Sequence, residues 1–253
     1  VKLIVHFTGI LFLAFSFITS SYGAEGPPTV LFDQGHGQKF VVGDNGPLQL
    51  SSLATIFTQK GFKVQASSAP LTDEVLANVQ AIVLSGPFKT CSPTEIDALV
   101  RFLERGGKLV AMLHIGQPLD TLLQRLGVAF SNGVIHEQQH VIGDNPLNLF
   151  VTNFQPHPIT QGLETFSLYG GWALINTGTN ASVIATTSPE AWIDLNGDRK
   201  LSKGDAVQSF GVIVAGTQGS GSFVIFGDDA IFQNQFLDEN NKHLAGNLAE
   251  WLK

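Results

Sequence analysis

Four side chains able to carry acid–base or metal chemistry, Asp33, His36, His114 and Asp228, each follow a short apolar run at its carboxyl end. Imidazole and carboxylate together can hold a metal, move a proton or orient a small polar ligand. In open α/β sheets, ligands gather beyond the carboxyl ends of the strands. The four residues could therefore share one crevice, as a ligand site or as the centre of a metal-assisted hydrolase. The favoured reading is the plainer one, in which both aspartates cap loops and helices while the histidines are satisfied locally.

A second constellation is Asp194-Leu195-Asn196-Gly197-Asp198-Arg199-Lys200-Leu201-Ser202-Lys203-Gly204-Asp205. Oxygen side chains fall at loop positions 1, 3, 5, 9 and 12, from Asp194, Asn196, Asp198, Ser202 and Asp205, and Lys200 offers its carbonyl at position 7. That is the spacing of a Ca2+ loop, where hard oxygens surround a hard cation. Arg199 replaces the turn glycine and Asp205 is shorter than the usual glutamate. The expectation is a structural Ca2+ held weakly; the alternative is an acidic hairpin that binds nothing.

Three further features each admit a chemical and a structural role. His136-Glu137-Gln138-Gln139-His140 matches the HExxH pattern, which needs both histidines on one helical face around zinc. Gly133, Gly143 and Pro146 surround it and no amphipathic helix does, so zinc proteolysis is not expected. Cys91 is the single cysteine, which excludes an intramolecular disulfide. It lies in a loop with no base nearby in sequence and reads as a loop or buried thiol. Tyr169, Trp172 and Trp192 could form a carbohydrate or partner platform, with core packing expected for at least two of them.

The elements that must position these groups follow from periodicity. Thr29 to Phe32, Phe62 to Val64, Ala81 to Leu84 and Leu109 to Leu113 read as strands, the last a buried parallel strand between Gly106-Gly107 and Gly116. Leu48 to Lys60 shows helical spacing, Thr72 caps a short helix through Leu76, and Ser92-Pro93-Thr94-Glu95 is a capping box with proline at the first helical position. Gln117 to Leu126 is a further helix. From about 128 to 215 the pattern is β-rich and reads as an insertion into the single domain, with strands at Val183 to Thr186 and Val207 to Val214. Phe223 to Phe226 is a late strand, and a helix runs from about Asn240 to Leu252. Alternation of strand and helix predicts a parallel sheet with helices on both faces.

The chain has 253 residues, 43% hydrophobic and 14% charged, with a formal net charge of −7. That is enough for one substantial core, and no basic footprint exists for nucleic acid. At the start, Lys2, the apolar run Leu3 to Ile18 and the small residues around Ser21 to Ala24 read as a signal peptide over residues 1–24, cut after Gly23 or Ala24. The expectation is an exported protein, periplasmic or extracellular, whose leader meets the membrane only during export. Its partner would be a small ligand or an envelope protein. An uncleaved anchor is the alternative.

Several pieces occur together: Val30-Leu31-Phe32-Asp33 with His36, Gly106-Gly107-Lys108-Leu109-Val110, His157-Pro158-Ile159-Thr160-Gln161-Gly162-Leu163, Phe223-Val224-Ile225-Phe226-Gly227-Asp228 and Asn247-Leu248-Ala249-Glu250-Trp251-Leu252. This set resembles an uncharacterised branch of the class I glutamine amidotransferase-like superfamily, with domains of unknown function and the gliding-motility and intraflagellar-transport ectodomains. The resemblance implies a flavodoxin-like α/β core, a single domain over residues 25–253. It also sets a departure in relief. Amidotransferases carry a cysteine in the turn after a central strand, whereas the equivalent turn here reads Leu113-His114-Ile115-Gly116. Without that nucleophile, amidotransferase activity is not expected, and a non-catalytic binding role is.

Overall fold

The computed structural model describes Val1 and residues 26–253; apart from Val1, the expected signal peptide lies outside the described residues. The amino-terminal half alternates as the periodicity predicts: β1 (Thr29–Asp33), α1 (Ser51–Gln59), β2 (Lys63–Ser67), β3 (Ala81–Ser85), α2 (Pro93–Glu104), β4 (Lys108–Met112) and α3 (Asp120–Arg125). A long series of strands follows: β5 (Val128–His136), β6 (Val141–Ile142), β7 (Asn145–Val151), β8 (Asn153–Phe154), β9 (Phe166–Tyr169), β10 (Trp172–Asn176), β11 (Ala181–Thr186), β12 (Trp192–Ile193), β13 (Ala206–Val207), β14 (Gly211–Gln218) and β15 (Gly221–Phe226). The helix α4 (Glu239–Trp251) closes the described chain.

Local chemistry accounts for these elements. The Ser92 hydroxyl accepts from the Glu95 amide and the Glu95 carboxylate accepts from the Ser92 amide, so the capping box starts α2 as expected. Ile96, Leu99 and Leu103 then face the core. Gly106, at φ +100, takes the chain out of that helix in a conformation costly for any other residue. Leu109 to Met112 in β4 is fully buried, as a strand covered on both faces must be.

The main sheet has 12 strands in the order β13-β12-β5-β10-β14-β15-β4-β3-β1-β2, with β11 and β8 attached beside β14. Strands β2, β1, β3, β4 and β15 run parallel, but β14, β10, β5, β12 and β13 continue antiparallel from the β15 edge. A separate three-stranded antiparallel sheet, β6-β7-β9, leans on this half. Apolar residues of α1 and α4 belong to one core cluster, and those of α2 and α3 to another.

The expected flavodoxin-like parallel sheet with helices on both faces is therefore overturned. The molecule is a largely β, mixed sheet. The β-rich stretch expected as an insertion is instead the antiparallel half of the main sheet, zipped on through the β14–β15 hairpin. Antiparallel strands need only short turns, so this half grows without crossover helices.

Two smaller expectations also change. Thr72 to Leu76 makes a single turn, with the Leu76 amide on the Thr72 carbonyl, rather than a helix. The expected strand Val207 to Val214 is broken at Gln208–Phe210, because the Thr187 amide donates to the Phe210 carbonyl and the Phe210 amide donates to the Thr187 hydroxyl. Among the described residues, no helix is long and apolar enough to cross a membrane.

Candidate functional site

Register decides which candidate side chains meet. Phe226 of β15 lies level with Met112 of β4, so the residues two places beyond each strand, Asp228 and His114, emerge side by side. Gly227 sits so close to the Trp172 carbonyl that a Cβ would collide with it. Its own carbonyl accepts from the Trp172 amide at 2.8 Å, which steers Asp228 and Asp229 off the strand end. His114 then bonds through Nδ1 to Asp229 Oδ1 at 3.1 Å, and its backbone carbonyl accepts from the Trp172 indole.

His114, Asp228 and Asp229 line one crevice of about 380 Å³, with Phe40, Tyr169 and Phe236 among its aromatic walls and Asn145, Asn148 and Gln233 as polar neighbours. The Tyr169 ring stacks on Phe236 at 4.1 Å, and Phe40 meets the His114 ring edge-on at 5.3 Å. Both aspartates are buried. Burial, followed by the adjacent Asp229, pushes Asp228 up to about 8, although amides of Tyr169 at 2.7 Å and Ala230 at 2.8 Å donate to its oxygens. Asp229 is likewise raised by burial, with His114 opposing. Its Oδ2 has no hydrogen-bond partner and occupies the space that Gly86, at φ +52, leaves open. The hydrogen bond to Asp229 raises the His114 imidazole above its ordinary value.

Asp33 and His36 do not join this crevice. Strand β3 and strand β4 stand between β1 and β15, which at ordinary strand spacing separates those strands by about 14 Å. Asp33 and His36 instead form a closed network: His36 Nδ1 meets Asp33 Oδ2 at 2.7 Å, its Nε2 lies 3.2 Å from Glu95 Oε1, and Gln38 also donates to Asp33. The hydrogen bond to Asp33, then one involving Cys91, pushes His36 up to about 11 against the effect of burial. Burial raises Glu95, but hydrogen bonds from Ser92 and Leu71 and the charge of His36 outweigh it and bring the carboxyl down to about 2. The loop after β3 divides the two clusters: amides of Phe88 and Lys89 donate to the His36 carbonyl at 2.9 Å, and the Phe88 ring lies 5.1 Å from that of His114.

The sequence reading, which favoured local roles for these four residues over a shared crevice, meets a fold that divides them into two pairs. It missed Asp229, Glu95 and Cys91 as members. Two successive carboxylates after a buried strand were a legible signal for Asp229. Glu95 was legible only as a cap, and its second oxygen turns toward His36 through tertiary packing alone.

The 194–205 loop closes the β12–β13 hairpin. Asp194, Asp198 and Asp205 each bring an oxygen within 4.8 Å of the others, the one group of three or more such side chains spaced for a metal among the described residues. Asp194 accepts from the amides of Asn196, Gly197 and Arg199, and Asp205 from those of Leu195 and Ser202. Arg199 takes φ 60, the left-handed conformation that the usual glycine supplies at this position. Asn196 and Ser202 bond to each other at 2.8 Å, and Lys200 donates its amide to Asp198.

The HExxH segment is not helical. His136 ends β5 and stacks on the buried Trp192 at 4.1 Å, while Glu137 is buried and accepts from the Ser188 hydroxyl at 2.6 Å. Trp192 is thus core, Trp172 packs against the core with its indole donating to the His114 carbonyl, and Tyr169 lines the His114 crevice.

The chain is 22% identical over 223 residues to the mouse (Mus musculus) intraflagellar transport protein 52 homolog, an alignment covering 77% of this chain and 49% of that protein. The chain thus spans about half the length of this curated relative. Among solved structures, the mmIFT52 N-terminal domain superposes with a TM-score of 0.72 at 19% identity, covering 88% of this chain and 96% of that one. A ThuA-like protein from Bacteroides uniformis gives 0.56 at 16% identity, covering 92% and 94%. These superpositions speak to fold alone. The relationships demonstrated do not extend to the amidotransferase-like superfamily as a whole. A family model for a domain of unknown function matches residues 42–249, and the chain belongs to that family, DUF4350.

Proposed function

We propose that the chain is an exported, non-catalytic binding domain whose crevice at the ends of β4 and β15 receives a small ligand or a side chain of an envelope protein. The observation that carries this reading is the composition of the crevice. It offers an oriented histidine, two buried carboxylates and aromatic walls, but no serine, threonine, cysteine or lysine among its lining residues. Acyl-transfer chemistry of the amidotransferase kind needs such a nucleophile. The name of the mouse relative, a transport protein, agrees with binding. Within the same reading, the 194–205 loop takes a structural Ca2+ that ties the two-residue strands of the β12–β13 hairpin together.

The rival is a hydrolase in which His114, oriented by Asp229, acts as general base. A thermal-shift screen of the chain against amino acids, amines, sugars, nucleotides and organic acids separates the two, run beside ester, phosphoester and glycoside turnover assays. Binding is expected to raise the melting temperature in the wild type and not in His114→Ala. Turnover of any of these substrates that disappears in His114→Ala overturns the proposal, as do hits that ignore this substitution.

A further inference from the structure

The crevice holds more negative charge than its own residues balance. Asp228 and Asp229 are neighbours, both buried. The groups that face them are His114 beyond β4, which bonds Asp229, and Tyr169 on β9, with Asp238 next to Tyr169 through the Ser167 hydroxyl. No lysine or arginine lines the crevice among the described residues. One imidazole can offset one carboxylate, and a second buried carboxylate must then keep a proton or find a cation. One Asp229 oxygen packs against Gly86 with no hydrogen-bond partner, so the protein does not offset its charge there.

The walls add a second criterion. Phe40, Tyr169 and Phe236 supply rings and Leu48 and Leu147 supply aliphatic surface beside those carboxylates. A bare metal ion would gain nothing from such a surface, and among the described residues these carboxylates are not in a metal-spaced group. An alkyl chain ending in an ammonium would gain from both: aromatic and aliphatic contact along the chain, and charge-assisted hydrogen bonds at its head.

We infer that the ligand of this crevice is an alkylammonium group, a primary amine in its protonated form, seated with its head at Asp228 and Asp229 and its chain against Phe40, Tyr169 and Phe236. The inference rests on the binding reading above and names the chemistry of the same site. A free amine and a partner's lysine side chain present the same group. The volume of about 380 Å³ accommodates either.

The ammonium head favours the ionised carboxylates, so binding expels the proton that burial holds on Asp228 near neutral pH. Affinity for an amine must therefore increase with pH until the amine itself loses its proton.

The test is calorimetric titration of the chain with n-butylammonium and, separately, N-acetyl-lysine methylamide, with butyrate and 1-pentanol as anionic and neutral controls. Both ammonium probes are expected to bind saturably and the controls not. Near pH 7, two buffers of different ionisation enthalpy should report release of up to about one proton per ligand. Affinity should strengthen between pH 6 and pH 8 by at most about tenfold per unit for each proton released. Asp228→Asn should weaken binding about tenfold or more and flatten the pH dependence. Preference for the lysine probe assigns the source to a partner protein, and preference for butylammonium to a free amine. No ammonium binding, equal binding of pentanol or butyrate, or full affinity in Asp228→Asn overturns the inference. A neutral or anionic compound that binds in the thermal screen and is lost in His114→Ala leaves the binding reading standing while this inference falls.

Discussion

Asp228 and His36 are perturbed in the same direction for opposite reasons. Asp228 is raised to about 8 because burial beside Asp229 disfavours its charge. Its folded form therefore holds a proton more tightly than the unfolded chain, and the associated stability is full below the ordinary carboxylate value and is lost as pH rises through 8. Asp228→Asn mimics the protonated acid, so its melting temperature relative to wild type should improve steadily from pH 4 to pH 9; a flat difference would contradict the assignment. His36 is raised to about 11 because Asp33 and Cys91 bond its ring. Its contribution is complete below about 6.5 and fades as pH climbs toward 11. Breaking a buried pair of this kind costs about 3–5 kcal/mol. His36→Gln should therefore lower stability by that order at pH 6 and by clearly less at pH 10, measured by urea unfolding.

At the scale of elements, α2 and the β12–β13 hairpin show two ways of fixing an end. The Ser92–Glu95 capping box was readable from four residues, because its hydrogen bonds are local. Ser92→Ala should cost about 1 kcal/mol, and more if Glu95 loses its orientation toward His36, which the same denaturation curves would record. The hairpin was legible as an oxygen-bearing loop, and the fold gathers Asp194, Asp198 and Asp205 as that spacing requires. If the loop takes Ca2+, millimolar Ca2+ should raise the melting temperature of the wild type and leave Asp194→Asn unchanged. An identical response in the two proteins would remove the ion from the account. By contrast, the strand expected across Val207 to Val214 was lost to Thr187, more than twenty residues away in sequence from Phe210.

For the whole molecule, β15 is the seam. It pairs parallel with β4 and antiparallel with β14, so the two halves share one sheet and neither closes its edge alone. Ile225, fully buried at this seam, should cost about 2–5 kcal/mol when replaced by alanine. Far- and near-ultraviolet circular dichroism should then still report one coincident transition; two separate transitions would show the halves unfolding independently.

The sequence by itself determined the local facts: strands β1, β3 and β4, helices α1 and α2, the cap of α2, the spacing of the oxygen loop and the placement of candidates at strand ends. Each rests on residues within about one helical turn or one strand of one another, where periodicity and capping act directly. Only the tertiary structure decided that the sheet is mixed, because strand order and direction depend on pairings between residues far apart in the chain. The same pairings separated Asp33 and His36 from His114 and Asp228. They gave each its true neighbour, Glu95 for the first pair and Asp229 for the second, because strand order sets which carboxyl ends can touch.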